Sequence, residues 1–435
     1  MTSEGRLAAA IDLLHAVEDQ PRRPADAIAA EFFRNRRYIG ASDRRAIADV
    51  AWGVVRQRLR LHWWVAQTGA RVTPRLLVLA YLLLVERLKF VEAARLFDPG
   101  RYGAGTLDIG ESAVGEALLG KPISGKEMPE GVRLNLPDWA LPGLHARFPL
   151  TLEAEAAAME ANAPLDLRAN LLKGSRAEAL TALRREGLNP QPTPHSPWGL
   201  RLAGRTPIAG SEAYKAGLIE VQDEGSQLIA ALVGAGPGMR VADYCAGAAG
   251  KTLAMAAMMN NQGRITACDV SAPRLEGASK RLRRAGIHNA ETHLLEAGDR
   301  WAKRRAAQFD RVLVDAPCTG TGTWRRNPDA RHRTGPQDLA ELLVKQGEIL
   351  SIAAHLVRPG GRLAYATCSL LPDEDEGQVD RFLQARPDYR AVPLAEAWPQ
   401  AGLPGAPPCE GAHLLLSPAA NGTDGFFCAV LERAG

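Results

Sequence analysis

Apolar residues recur at helical spacing through the first part of the chain: Leu7, Ile11, Leu14 and Val17 fall on one face of a helix over 5–18. The period returns over 24–33, 42–66 and 74–88 without strand alternation, so residues 1–125 are expected to form an all-helical domain. The most apolar run, Leu76 to Val85, covers only about ten residues against the roughly 20 that a membrane span requires, which predicts a buried core helix. A Gly/Pro-rich stretch at 99–131 reads as a linker. Mixed segments such as "VRLNLPDWALPGL" and "APLDLRANLLKG" predict a linker and small α+β region over 126–215. From 216 to 435 the pattern changes. Short β-rich runs at 239–245, 263–269, 291–296, 309–316 and 362–367 alternate with helical ones at 250–260, 272–286 and 338–357. Such alternation predicts an α/β Rossmann-like domain, a parallel sheet covered by helices on both faces. The end, "AHLLLSP" then "GFFCAVLER", predicts a terminal antiparallel pair.

Of the 435 residues, 46% are hydrophobic and 23% charged, ordinary values that exclude a disordered chain. The net charge of +4 is mild, and its distribution says more than its size. Arg34, Arg36, Arg37, Arg44, Arg45, Arg56, Arg58 and Arg60 interleave with Phe32, Phe33, Tyr38, Trp52, Trp63 and Trp64. Two readings stand here: a helical bundle with solvated arginines, or a polyanion-binding face where Arg meets phosphate and aromatics stack on bases. The cysteines, at 245, 268, 318, 368, 409 and 428, contain no C-x-x-C pair, so neither a zinc site nor a disulfide framework is expected. The N-terminus reads as an amphipathic helix rather than a signal peptide. A cytoplasmic monomer with reduced thiols is therefore expected, without metal or membrane.

Two regions carry chemistry. In "VADYCAGAAGKTLAMAA" (241–257) a strand leads into a loop of small residues and then a helix. The loop residues Cys245, Ala246, Gly247, Ala248, Ala249, Gly250 and Lys251 would let backbone N–H groups approach a cofactor closely. A P-loop would need glycine where Cys245 stands, although "RVLVDAP" could pass for a Walker B strand. A nicotinamide site would need G-x-G-x-x-G, of which only Gly247 and Gly250 are present. The third reading is S-adenosylmethionine (SAM). Asp269, ending the second strand about twenty residues later, suits ribose hydroxyls, and Asp299 after the third suits an adenine amino group. Either alone reads as a turn or helix cap. Carboxylates on successive strand ends favour a cofactor.

The second region is a pair of strand ends. "VLVDAPCTGTGTWRRNPDARHR" (312–333) puts Asp315 and Cys318 after the fourth strand, and "LAYATCSLLPDEDEGQV" (363–379) puts Cys368 after the fifth. Those strands are neighbours in a doubly wound sheet, so both thiols are expected at one edge beside the loop. Oxygen and nitrogen methyl acceptors need no thiol. Carbon 5 of a pyrimidine does, because it becomes nucleophilic only after a thiolate adds at C6. A base must then remove the C5 proton so that the thiolate can leave, and Asp315 is placed to hold the N3/N4 edge of the ring. A free thiol (pKa ~8.5) is little ionised at neutral pH, so a nearby cation or base is expected. Gly320 and Gly322 predict a flexible loop, with Trp324, Arg325 and Arg326 meeting RNA. Arg274, Lys280, Arg281, Arg283, Arg284, Lys303, Arg304 and Arg305 would extend that surface.

Through these motifs the chain resembles the RsmB/Sun family of RNA (cytosine-5) methyltransferases. "DYCAGAAGKT" is similar to the family's cofactor loop, "DAPCTGTGT" to its fourth motif and "TCSLLPDEDE" to its sixth. The likeness extends to "VQDEGSQL" and to the helical N-terminus, which resembles the NusB-like RNA-binding domain of bacterial members. The resemblance implies a class I SAM-dependent methyltransferase domain at 216–435 behind a NusB-like domain at 1–125. It implies SAM as cofactor, held by 245–251 with Asp269, Asp299 and Asp315, and RNA as substrate, ribosomal RNA foremost. It further implies Cys368 as the nucleophile and Cys318 as the group that assists product release. The family loop usually carries Pro-Gly where this chain has Ala248-Ala249. Alanine avoids positive φ, so the loop backbone is expected to differ. Two other classes stay open: a P-loop-type RNA-dependent ATPase, told apart by nucleotide binding, and a non-catalytic RNA-binding ribosome-assembly protein, told apart by lack of methyl transfer.

Overall fold

The computed structural model describes residues 1–97, 99–100, 102–204 and 206–435. It divides into two compact units: Met1–His145 with Thr151–Glu160 and Asn327–Pro336, and Ala146–Leu150 with Ala161–Arg326 and Gln337–Gly435.

The first unit is helical. At its centre lies Pro74–Leu84, where the Thr73 side chain caps the Leu76 N–H and Pro74 occupies a position that needs no donor. Every residue of this helix except Arg75 is buried, with Ser3–Glu18, Ala41–Arg56 and Arg58–Gln67 packed against it. Among the described residues, no helix is long and apolar enough to cross a membrane. The helix expected over 42–66 is two helices, broken at Gln57 (φ −103°, ψ 14°). Residues on both sides of the break keep their burial, so the apolar period runs on through it. The expected linker at 99–131 contains the helix Ile109–Leu118, which buries Val114 and Leu118. Its start is fixed by a reciprocal capping box between Asp108 and Glu111, a signal masked by the glycines around it.

The arginine cluster divides. Arg60 donates to the Arg133 carbonyl and pairs with Glu160 at 2.8 Å, while Arg58 pairs with Glu18 at 3.3 Å. Arg36 lies 3.8 Å over the Phe32 ring. Arg34, Arg37 and Arg45 are exposed.

The second unit holds two sheets. Strands β1 (Leu165–Ala169), β2 (Gln191–Pro192), β3 (Gly199–Leu202) and β4 (Ile219–Val221) pair antiparallel in the order β2-β3-β1-β4. The helix Arg176–Arg185 buries Ala179 and Leu183 together with Leu167 and Leu200 of that sheet. The larger sheet comprises β5 (Arg240–Asp243), β6 (Arg264–Asp269), β7 (Ala290–Leu294), β8 (Phe309–Asp315), β9 (Val357–Thr367), β10 (Tyr389–Val392), β11 (Leu414–Leu416) and β12 (Phe426–Arg433). Its order is β10-β12-β9-β8-β5-β6-β7, with β11 pairing β12. Strands β5 to β9 run parallel, and β10 to β12 join antiparallel, so the expected terminal pair is β11 with β12. The alternating runs fold this way because Val241, Ile265, Val312 and Leu363 are all fully buried, leaving helices to cover both faces. Strand order reverses between β5 and β8, and ligands of open α/β sheets bind at such a switch point, beyond the strands' carboxyl ends.

Candidate active site

The loop after β5 is held by short hydrogen bonds, with Gly247 in the left-handed region (φ 54°). The Gly247 N–H donates to Asp269 at 2.8 Å, and the Ser271 N–H donates to the other oxygen of that carboxylate at 2.8 Å. Ala249 is fully buried and adopts the left-handed conformation (φ 61°, ψ 30°) that an alanine was expected to refuse. Such a residue costs about 1–2 kcal/mol, and the surrounding bonds hold it there. Its own N–H donates to the Ala246 carbonyl at 2.8 Å, Arg281 donates to the Ala248 carbonyl at 2.6 Å, and buried Arg168 donates to the Gly250 carbonyl at 3.1 Å.

Charge gathers beside this loop. Lys251 pairs with Asp315 at 2.6 Å. Burial works against the lysine's charge, but Asp315 outweighs it and the ammonium is held above its ordinary value. Asp243 accepts from the Thr252 hydroxyl at 2.6 Å, and burial pushes its carboxyl up to about 7 against that bond. Asp299, after β7, accepts from His293 at 2.6 Å and from the Trp301 N–H at 2.8 Å. Burial raises the Cys245 and Cys268 thiols, as it would for thiols that stay neutral.

The fourth and fifth parallel strands are neighbours as expected, with Asp315 opposite Ala366. The Sγ atoms of Cys318 and Cys368 lie 3.4 Å apart. Cys368 beside it, and then burial, push the Cys318 thiol well above its ordinary range.

An open cavity of about 540 Å³ joins these parts. Its wall includes residues 245–248, Gly250, Lys251, Asp243, Asp315, Cys318 and Cys368. Ala249 lies beneath the surface, and Asp269, at the end of β6, and Asp299, in the loop beyond β7, sit outside this wall. The volume falls within the range of small-molecule sites.

The loop after Cys318 corrects two expectations. It is not loose: Gly322 donates to the Cys368 carbonyl at 2.9 Å and accepts from Gly425 at 2.8 Å. A Cβ on Gly322 would stand 2.3 Å from the Gly425 carbonyl oxygen, so glycine serves close backbone packing there. Nor do the next residues form an open basic surface. Trp324 is fully buried, and Arg325 and Arg326 are tied to Asp424, with Arg326 also 2.8 Å from Asp223. Arg281 and Arg284 are likewise held by Glu220. An arginine's charge alone does not say whether a carboxylate waits inside the fold.

Sequence reasoning missed the supports of the thiol loops. Glu374 and Asp375 belong to an acidic run for which the sequence suggests no role of its own, and both are fully buried. Asp375 accepts from Thr367 at 2.6 Å and pairs with Arg147 at 3.0 Å, and Glu374 reaches both cysteine loops. Their position directly after a strand-end cysteine was the available signal.

The doubly wound sheet, its small-residue loop at the switch point and the cavity there define the class: a Rossmann-like SAM-dependent methyltransferase. The family model described as 16S rRNA methyltransferase RsmB/F matches residues 232–432, and that of the RsmF/B-like ferredoxin-like domain matches 136–209. The probable ribosomal RNA small subunit methyltransferase B of Synechocystis sp. is 32% identical over 411 residues, covering 90% of this chain and 92% of that protein. The ribosomal RNA small subunit methyltransferase B of Photorhabdus laumondii is 31% identical over 298 residues, 68% of this chain and 66% of the other. Among solved structures, that of PH0851 superposes with a TM-score of 0.79 at 24% identity, over 100% of this chain and 99% of that one. A methyltransferase homolog from Pyrococcus horikoshii gives 0.59 at 26% identity, over 70% of this chain and 97% of that one. The chain belongs to the RsmB/F family of 16S rRNA methyltransferases.

Proposed function

We propose that this protein methylates carbon 5 of a cytosine in ribosomal RNA, through a transient bond between Cys368 and the base. The observation that carries the reading is the thiol pair, 3.4 Å apart on neighbouring strand ends and facing the cavity that the cofactor loop lines. Bound SAM would supply an electrophilic methyl group on a sulfonium. Loop residues 245–251 would hold it, Asp269 and Asp299 taking its ribose and adenine, and Asp315 standing between cofactor and base.

Cys368 acts first. The resemblance of its motif to the family's sixth motif favours Cys368 as the thiolate that adds to C6. Addition makes C5 electron-rich enough to take the methyl group. Asp315 keeps one oxygen on Lys251, leaving the other to hold the N3/N4 edge of the ring. Once the Cys368 sulfur is bonded to carbon, its negative charge no longer holds the proton on Cys318. Cys318 can then give its proton to solvent and, as a thiolate, accept the C5 proton while the C6–sulfur bond breaks and Cys368 leaves as a thiolate. The target cytosine must be unstacked to reach this cavity. The first unit, with Arg34, Arg37 and Arg45 exposed, would supply affinity for the RNA backbone.

The test is a denaturing gel with labelled RNA and SAM. Cys318→Ala should accumulate protein bound to RNA, since the nucleophile is intact and release is stalled. Cys368→Ala and the double variant should form no adduct. A band in Cys368→Ala alone would reverse the two roles, and no band in any variant would remove the covalent mechanism.

A further inference from the structure

We propose that Glu374 is a positioning residue for the thiol pair, its buried carboxyl group tying the Cys318 loop to the Cys368 loop. One oxygen accepts from the Thr319 N–H and from the Gln346 side-chain amide, each at 2.9 Å. The other accepts from the hydroxyl of Thr319 and from that of Ser369 at 2.5 Å. Thr319 follows Cys318 and Ser369 follows Cys368, so one side chain grips the residue next to each thiol. Gln346 is itself aimed: its amide also donates to the Pro317 carbonyl at 2.9 Å, and its own oxygen accepts from Gln378 at 3.1 Å.

Reach is the essential property. Other bonds join the loops, among them the Leu370 N–H to the Thr321 hydroxyl at 2.7 Å, so losing Glu374 shifts the loops without releasing them. A shift of that kind changes the sulfur–sulfur distance first. Aspartate keeps the carboxyl group but is one methylene too short to hold both loops. Glutamine keeps the reach. Its oxygen can face the two N–H donors while its NH2 faces hydroxyls that are free to turn and accept.

The test uses the full chain and needs no RNA for its geometric arm. Diamide takes two electrons and two protons from a thiol pair, leaving a disulfide and a hydrazine. Peptide mass spectrometry then follows the Cys318–Cys368 link against time in the wild type, Glu374→Asp and Glu374→Gln. Because catalytic geometry tolerates little displacement, E374D should cross-link at least about tenfold more slowly and E374Q about threefold more slowly. The kinetic arm rests on the covalent reading above. There kcat should fall about 100-fold in E374D, with KM for RNA and SAM affinity unchanged, and recover most of its value in E374Q. Cross-linking of E374D at the wild-type rate would overturn the proposal, as would E374Q being as impaired as E374D. Slow cross-linking in E374D beside a wild type that forms no 5-methylcytosine would support the positioning role and sink the proposed reaction instead.

Discussion

Replacing Asp243 by asparagine tests the electrostatics of the sheet edge. Asp243 is 1% exposed; one carboxylate oxygen takes the Thr252 hydrogen bond and the other has no hydrogen-bond partner among the described residues. Its ordinary value is 3.8 and burial lifts it to about 7. Between those values the folded protein holds a proton that the unfolded chain has released. Stability from this group is therefore whole below about pH 4, declines as pH rises, and is gone above about pH 7. The difference of about three pH units, at 1.36 kcal/mol each, sets a ceiling of about 4 kcal/mol. Asparagine imitates the protonated acid, with one oxygen for Thr252 and one donor group, and cannot ionise. From pH 5 to pH 8 the Asp243→Asn variant should gain about 2–3 kcal/mol on the wild type. Urea unfolding at fixed ionic strength, without SAM, measures this, because groups common to both proteins cancel in the difference. Parallel stability curves, or divergence in the opposite direction, would refute the buried-carboxyl argument.

Asp269→Ala should weaken SAM binding by about 1–3 kcal/mol, through lost hydrogen bonds to a charged acceptor and release of the Gly247 amide. Calorimetry giving the wild-type affinity would remove Asp269 from the cofactor site. Changing Arg34, Arg37 and Arg45 together to Gln should weaken binding to structured RNA and flatten the slope of log affinity against log salt by up to about 2–3. An unaltered slope from filter binding across salt concentrations would make those arginines an ordinary solvated surface.

The chain's own pattern was enough to place the chemistry. Strands β5, β6, β8 and β9 read clearly because strands buried on both faces are largely apolar, and the β-period to helix-period switching places the edge strand β7 with them. Cys318 and Cys368 could be set side by side because parallel crossovers of one hand bring the fourth and fifth strands together. Asp269 ends β6 as expected, whereas Asp299 lies in the loop five residues beyond the end of β7.

Only the tertiary structure decided what each charge does. Arg325 and Arg326 look like an open RNA-facing pair until Asp424, about a hundred residues on, ties both, burying Arg325 and leaving Arg326 on the cavity wall. Glu374 gains its role only when four donors from three segments converge on it. Ala249 holds positive φ because Arg281 and Arg168, distant in sequence, fix the carbonyls around it. Asn327–Pro336 folds with the helical unit although the chain reaches it in the middle of the sheet. Local periodicity reports which residues leave water, since that depends on neighbours a few positions away. Which polar partner meets a buried charge depends on contacts between distant segments, and those exist only once the chain has folded.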